Sequence, residues 1–191
     1  MAALGEALRA IRACGLRPVM DLVLNHTARD AALVDEHPQW YVRDAAGAVQ
    51  SPWAIDPADA RKVTGWGGLA EIDNEASPDR DRLWAHWIHL VETFAQLGFE
   101  GFRCDAAYKV PAALWRELIA AARRHQPEAL FFGEILGARL TEMEALHGSG
   151  LHFVFNSSKW WNFDAPWLLD QQRMLRDGTR SVSFPESHDT P

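Results

Sequence analysis

The 191-residue chain carries 19 Lys and Arg against 26 Asp and Glu, a formal net charge of -7, with 48% hydrophobic and 24% charged residues. This is the make-up of a globular domain with material for one core. An acidic chain without a basic stripe has little with which to displace the counterions of a phosphate backbone, so nucleic acid is not an expected partner.

The two cysteines, Cys14 and Cys104, make neither a disulfide framework nor a zinc spacing, and Cys104 reads as a small buried filler. Residues 1–17 are interrupted by Glu6, Arg9, Arg12 and Arg17 and read as an amphipathic helix, not as a leader or a membrane span. No membrane partner is expected, and the expected location is cytoplasmic. Oligomeric state is not legible. Nine Trp and nine Phe serve either a core or sugar stacking, since an aromatic ring buries a large apolar area.

Leu4, Ala7, Leu8 and Ile11 repeat at helical spacing, and Gly15 stops that helix. The following run, Pro18 to Leu24, is apolar on both faces apart from Asp21, the pattern of a strand inside a parallel sheet. Residues 27 to 77, rich in Pro, Gly, Asp and Trp, make a connection far longer than usual and read as a functional excursion. Pro78 opens a helix through Trp84, Trp87, Ile88, Val91, Phe94 and Leu97, closed by Gly98, and Gly101 to Asp105 is the next strand. Helices from Pro111, near Leu140 and near Trp167 then alternate with strands at 129–134, 152–155 and 181–184.

Five strands in strict alternation with helices predict a parallel α/β sheet, either doubly wound or a (β/α)8 barrel. A barrel needs eight strands, so the chain is expected to be a partial one, lacking the first two strands and the last.

Each strand ends in polar residues: Asn25 and His26; Arg103 and Asp105; Glu134; and Glu186, Ser187, His188 and Asp189. Strand C-termini of parallel α/β folds share one rim, so these groups are expected in one cleft. Alternation puts Arg103 and Asp105 on one face, where Arg103 would pair with a buried Asp21 and keep Asp105 ionised. A purely structural ion pair is the alternative at this point. His37, His86, His89, His125, His147 and His152 have no metal spacing and read as structural or exposed. Glu117, Glu128, Glu142 and Glu144 read as solvated helix charges, and Glu186 fits either a substrate contact or none.

Four motifs then carry a resemblance. Asp21-Leu-Val-Leu-Asn25-His26, Gly101-Phe-Arg-Cys-Asp105, Gly133-Glu134-Ile-Leu and Phe184-Pro-Glu-Ser-His188-Asp189 resemble, in order, the signatures of the α-amylase family (glycoside hydrolase family 13). Leu69-Ala-Glu-Ile-Asp73-Asn74 looks like that family's additional signature at the end of its protruding loop. The resemblance covers nearly the whole chain and implies a partial (β/α)8 TIM barrel, with 1–191 as one incomplete catalytic domain and 27–77 as its protruding subdomain. It implies a retaining mechanism on α-1,4-glucosidic bonds of starch- or glycogen-type glucans. Asp105 would be the nucleophile, Glu134 the acid and base, and Asp189 the third carboxylate. His26, Arg103, His188, Tyr108 and Lys109 would contact substrate.

Such a carboxyl pair is expected about 5 to 5.5 Å apart. Glu134, after Phe131 and Phe132, is expected to have a raised pKa. Ala106 to Lys109 departs from the family's usual lysine-histidine pair, which puts acceptor preference in question, and Ser187 replaces a common asparagine, a smaller loss. Asn25 stands where calcium-dependent members have a ligand, but one amide is not a site, and no metal or other cofactor is assigned.

The stretches Asn25 to Asp30 and His37 to Tyr41 also resemble maltosyltransferases using maltose 1-phosphate, so glucan extension is an alternative to hydrolysis. Two further readings stay open, an inactive truncated barrel that at most binds glucan and an unrelated barrel whose acidic strand ends bind magnesium.

Overall fold

A computed structural model describes residues 2–56, 59–158, 164, 166–176 and 178–186. Helix α1 (Ala2–Ala13) leads to strand β1 (Val19–Leu22). The long excursion holds β2 (His26–Ala28), α2 (Ala32–Glu36), a 3-10 turn (Pro38–Trp40), β3 (Trp53–Asp56), β4 (Asp59–Gly65) and β5 (Leu69–Glu71). Then α3 (Arg80–Leu97), β6 (Gly101–Cys104), a 3-10 turn (Ala107–Lys109), α4 (Ala112–Arg123), β7 (Leu130–Glu134), α5 (Leu140–Ala145), β8 (Phe153–Phe155), α6 (Trp167–Arg176) and β9 (Arg180–Val182) complete the described chain.

The five strands read from the sequence form one parallel sheet in the order β1-β6-β7-β8-β9, with helices between them, which is a partial (β/α)8 barrel. The register sets Asp21 beside Arg103 and Arg103 beside Phe132. Side chains alternate across a strand, so Leu22, Phe102, Cys104, Phe131 and Val154 turn to the helix-covered side, and all are buried. Leu83, Trp87, Val91, Leu114, Trp115 and Leu118 from α3 and α4 close that core. The opposite side carries Arg103, Phe132, Phe153 and Phe155, with Phe132 and Phe153 stacked at 5.3 Å.

The run at 18–24 is the first strand of the partial barrel, and among the described residues β1 pairs with β6 alone, leaving Val19 exposed. One expectation needs correction. The apolar stripe of α1 is only partly used: Leu8 is buried, while Ile11 is exposed. That helix meets α3 at Gly5, where an added Cβ would sit 3.6 Å from Leu97, and Arg12 donates to the Gly98 carbonyl at 2.9 Å. Gly98, at φ 117, adopts a backbone that only glycine takes without strain and so ends α3.

The excursion is anchored by Asn74. Its Nδ2 donates to the Leu24 carbonyl at 2.8 Å and its Oδ1 accepts from Trp87 Nε1 at 3.0 Å, so one buried amide ties the segment after β5 to the segment after β1 and to α3. Two small antiparallel sheets, β2-β5 and β3-β4, lie within it. Among the described residues no helix is long and apolar enough to cross a membrane.

Candidate active site

Asp105 and Glu134 follow or end adjacent parallel strands, and Arg103 lies between them. Its Nη1 donates to Asp105 Oδ1 at 2.7 Å and to Asp21 Oδ1 at 2.9 Å, while its Nη2 lies 2.8 Å from Glu134 Oε2. A planar guanidinium suits this task because its donors diverge in a fixed fork. The Arg103–Asp21 pair expected from the sequence is present, but Asp21 is not the buried acid anticipated: its side chain is 60% exposed, against 18% for Arg103, 19% for Asp105 and 12% for Glu134. The reason is the edge position of β1, which leaves one flank of Asp21 without a neighbouring strand among the described residues.

A backbone group that the sequence does not advertise completes the Glu134 site. Ala106 has φ 41, a left-handed conformation unusual for a residue with a Cβ, and it aims its N–H at Glu134 Oε2 at 3.1 Å. Oε2 thus takes both the Ala106 hydrogen bond and the Arg103 ion pair, leaving Oε1 as the oxygen suited to carry a proton. Burial pushes the Glu134 pKa up, Ala106 and Arg103 oppose it, and Asp105, within hydrogen-bonding reach, pushes it up further. Arg103 is held above the ordinary arginine value: burial works against its charge, but the Asp21 hydrogen bond and the charges of Glu134, Asp105 and Asp21 outweigh it.

His26, at the start of β2, brings Nδ1 to 4.0 Å from Asp105 Oδ2. That nitrogen is buried and has no hydrogen-bond partner, and burial lowers the ring's pKa against the pull of Asp105. A polar atom left unsatisfied beside a carboxylate is suited to a ligand hydroxyl. Tyr108 lies in the 3-10 turn, its pKa raised by burial and then by Glu142, Glu134 and Asp105. Lys109, the next residue, lies 3.6 Å from Glu142 Oε1 and within 5.1 Å of the Trp53 ring centroid.

Glu142 therefore is not the solvated helix charge read from the sequence. It caps its own helix through the Arg139 N–H at 2.8 Å and, despite the opposing effect of burial, has its pKa lowered by Arg139 and Lys109. Nothing in its surroundings along the chain signals the pairing with Lys109, which the fold creates. The other unanticipated cleft residue is Glu71, directly opposite His26 in the β2-β5 pair, its pKa raised by burial against the charge of Lys109. His188 and Asp189 lie outside the described residues, as does Ser187. Among the described residues no group of three or more His, Cys, Asp or Glu side chains is arranged to hold a metal, and Asn25 is buried.

No family model matches the chain. It is 28% identical over 189 residues, 99% of its length, to an α-1,4-glucan:maltose-1-phosphate maltosyltransferase of Burkholderia pseudomallei. It is 29% identical over 133 residues, 64% of its length, to the α-amylase MalA of Haloarcula japonica. The chain spans 16% and 17% of those two relatives, respectively. An α-amylase crystal structure from Lactobacillus plantarum superposes with a TM-score of 0.68 at 20% identity, over 95% of this chain and 44% of that one. Similarity along almost the whole chain, joined to a shared partial barrel, relates this protein to the α-amylase family of enzymes, glycoside hydrolase family 13.

Proposed function

We propose that this chain carries the catalytic face of a retaining enzyme acting on α-1,4-glucans, with Asp105 as nucleophile and Glu134 as acid and base. The observation that carries the reading is the single guanidinium of Arg103, bonded to both carboxyls at the rim of adjacent strands. Asp105 Oδ1 is engaged by Arg103, which leaves Oδ2 to attack the anomeric carbon as the glycosidic C–O bond breaks and Glu134 gives its proton to the leaving oxygen. Glu134, now a carboxylate, takes a proton from water or a sugar hydroxyl. That oxygen then displaces Asp105, and two inversions return the original configuration. His26 Nδ1 is assigned to a hydroxyl of the bound sugar. Lys109 and Tyr108 are assigned to the sugar beyond the cleaved bond, and His188 and Asp189 keep the roles the family resemblance implies.

Glucan extension from maltose 1-phosphate is the second reading, favoured by the maltosyltransferase relative that matches along 99% of this chain. Both readings share the glycosyl-aspartate and differ in what intercepts it. Reducing ends released from starch indicate hydrolysis, whereas chain growth and phosphate release from maltose 1-phosphate plus glucan indicate transfer. Asp105→Asn is expected to abolish turnover in either assay while keeping glucan binding. Turnover near the unaltered level overturns the nucleophile assignment.

A further inference from the structure

The hairpin β3-β4 presents two exposed tryptophans, Trp53 and Trp66, at 43% and 45% exposure. Singly exposed aromatic rings are common on protein surfaces, so exposure alone assigns an occupant to neither. They are not equivalent. Trp53 is paired across the hairpin with Gly65, and Trp66 is the next residue along, so alternation directs it to the other side of the ribbon. Lys109, four residues after Asp105, identifies which side meets the cleft, because its ammonium lies 5.1 Å from the Trp53 ring centroid and 5.4 Å from that of Tyr108.

The space beside Trp53 is open. Its cross-strand partner has no side chain, and a Cβ built on Gly65 meets nothing within 4 Å. Directly opposite residues on an antiparallel pair normally cover one another. Here the covering side chain is missing, and an indole remains partly bare beside a fixed cation. Lys109 is itself held from below by Glu142 at 3.6 Å, so its ammonium is positioned by an acid and an aromatic ring and does not swing freely in solvent.

An apolar ring next to an oriented donor matches the chemistry of a pyranose, whose C–H face stacks on an indole while its rim hydroxyls accept from an ammonium. We infer that Trp53 forms, with Lys109, a binding platform for a glucosyl unit of an α-glucan at the end of the cleft lined by the Ala107–Lys109 turn. The inference rests on the glucan reading above and adds to it a specificity-determining residue on the excursion.

The test is calorimetric titration of maltoheptaose into the full chain and into Trp53→Ala, Trp53→Phe and Trp66→Ala. Trp53→Ala is expected to weaken binding about tenfold, Trp53→Phe to retain most of it, and Trp66→Ala to stay within about twofold of the unaltered chain. Equal affinity for Trp53→Ala and the unaltered chain, an equal loss in both alanine variants, or no binding by the unaltered chain each overturns the platform. Binding here is read without turnover, so a platform that fails while Asp105→Asn still abolishes catalysis leaves the nucleophile standing. A platform that holds while Asp105→Asn stays active removes only the nucleophile.

Discussion

Replacing Arg103 by Met keeps the length of the side chain and removes the one cation that three carboxyls share. The Asp21 contact counts for little, at most about 1 kcal/mol, because that acid is 60% exposed and screened by water. Asp105 and Glu134 are different: at 19% and 12% exposure they would be left facing one another without a counter-charge. Removing one partner of such a largely buried arrangement costs about 3–5 kcal/mol, a large share of the roughly 5–15 kcal/mol that holds a domain folded. The loss is predicted to depend on pH. The Glu134 pKa is already raised in the folded chain, so its contribution to stability is fully present below the ordinary glutamate value and is lost as pH rises through the folded value.

Arg103 is one of the groups that restrain that rise, so its removal pushes the folded value higher and steepens the loss. Urea unfolding of the two proteins at about pH 5 and about pH 8 should therefore show the smaller deficit at the acidic end, with each unit of extra shift worth about 1.4 kcal/mol. Arg103→Lys should fall between, since one ammonium cannot reproduce the fork. A deficit under about 1 kcal/mol at the higher pH, or one that is the same at both, would refute the reasoning.

Asp105→Asn removes a charge that raises the Glu134 pKa, so carbon-detected NMR should find that carboxyl titrating at lower pH than in the unaltered chain; an unchanged or higher value counts against the coupling. Gly133→Ala puts a Cβ 2.8 Å from Leu151 Cδ1 and 3.2 Å from Ala107 Cβ; Leu151 can swing away but Ala107 has no torsion to yield, so a loss of about 1–3 kcal/mol is expected in thermal unfolding, and a neutral result would show that the turn after β6 can shift. Asn74→Ala leaves the Leu24 carbonyl and Trp87 Nε1 without partners, at about 1–3 kcal/mol each, and amide exchange should quicken first in β5; protection unchanged there would place the anchor of the excursion elsewhere.

The alternation of helix and strand, and the carboxylates at strand ends, were legible because they follow from periodicity and from the common rim of a parallel sheet. Gly15 and Gly98 marked helix ends for the same local reason. Burial was less legible. Asp21 sits in an apolar run that reads as interior, yet its exposure depends on which strands flank β1, information that no local pattern holds. Glu142 reads as a surface charge on its own helix and becomes a cleft residue only when the fold brings Lys109 to it from 33 positions away.

By itself, then, the sequence determined which residue types end each strand and that Arg103 and Asp105 share a face, since side-chain alternation is a local property of the backbone. Only the tertiary structure decided that one guanidinium spans both acids, that the left-handed Ala106 lends its N–H to Glu134, and that Trp53 stands beside Lys109. Those contacts join residues up to 56 positions apart, Trp53 to Lys109, and they are set by how strands register and how the excursion folds back, which depend on the packing of the whole chain and not on any segment of it.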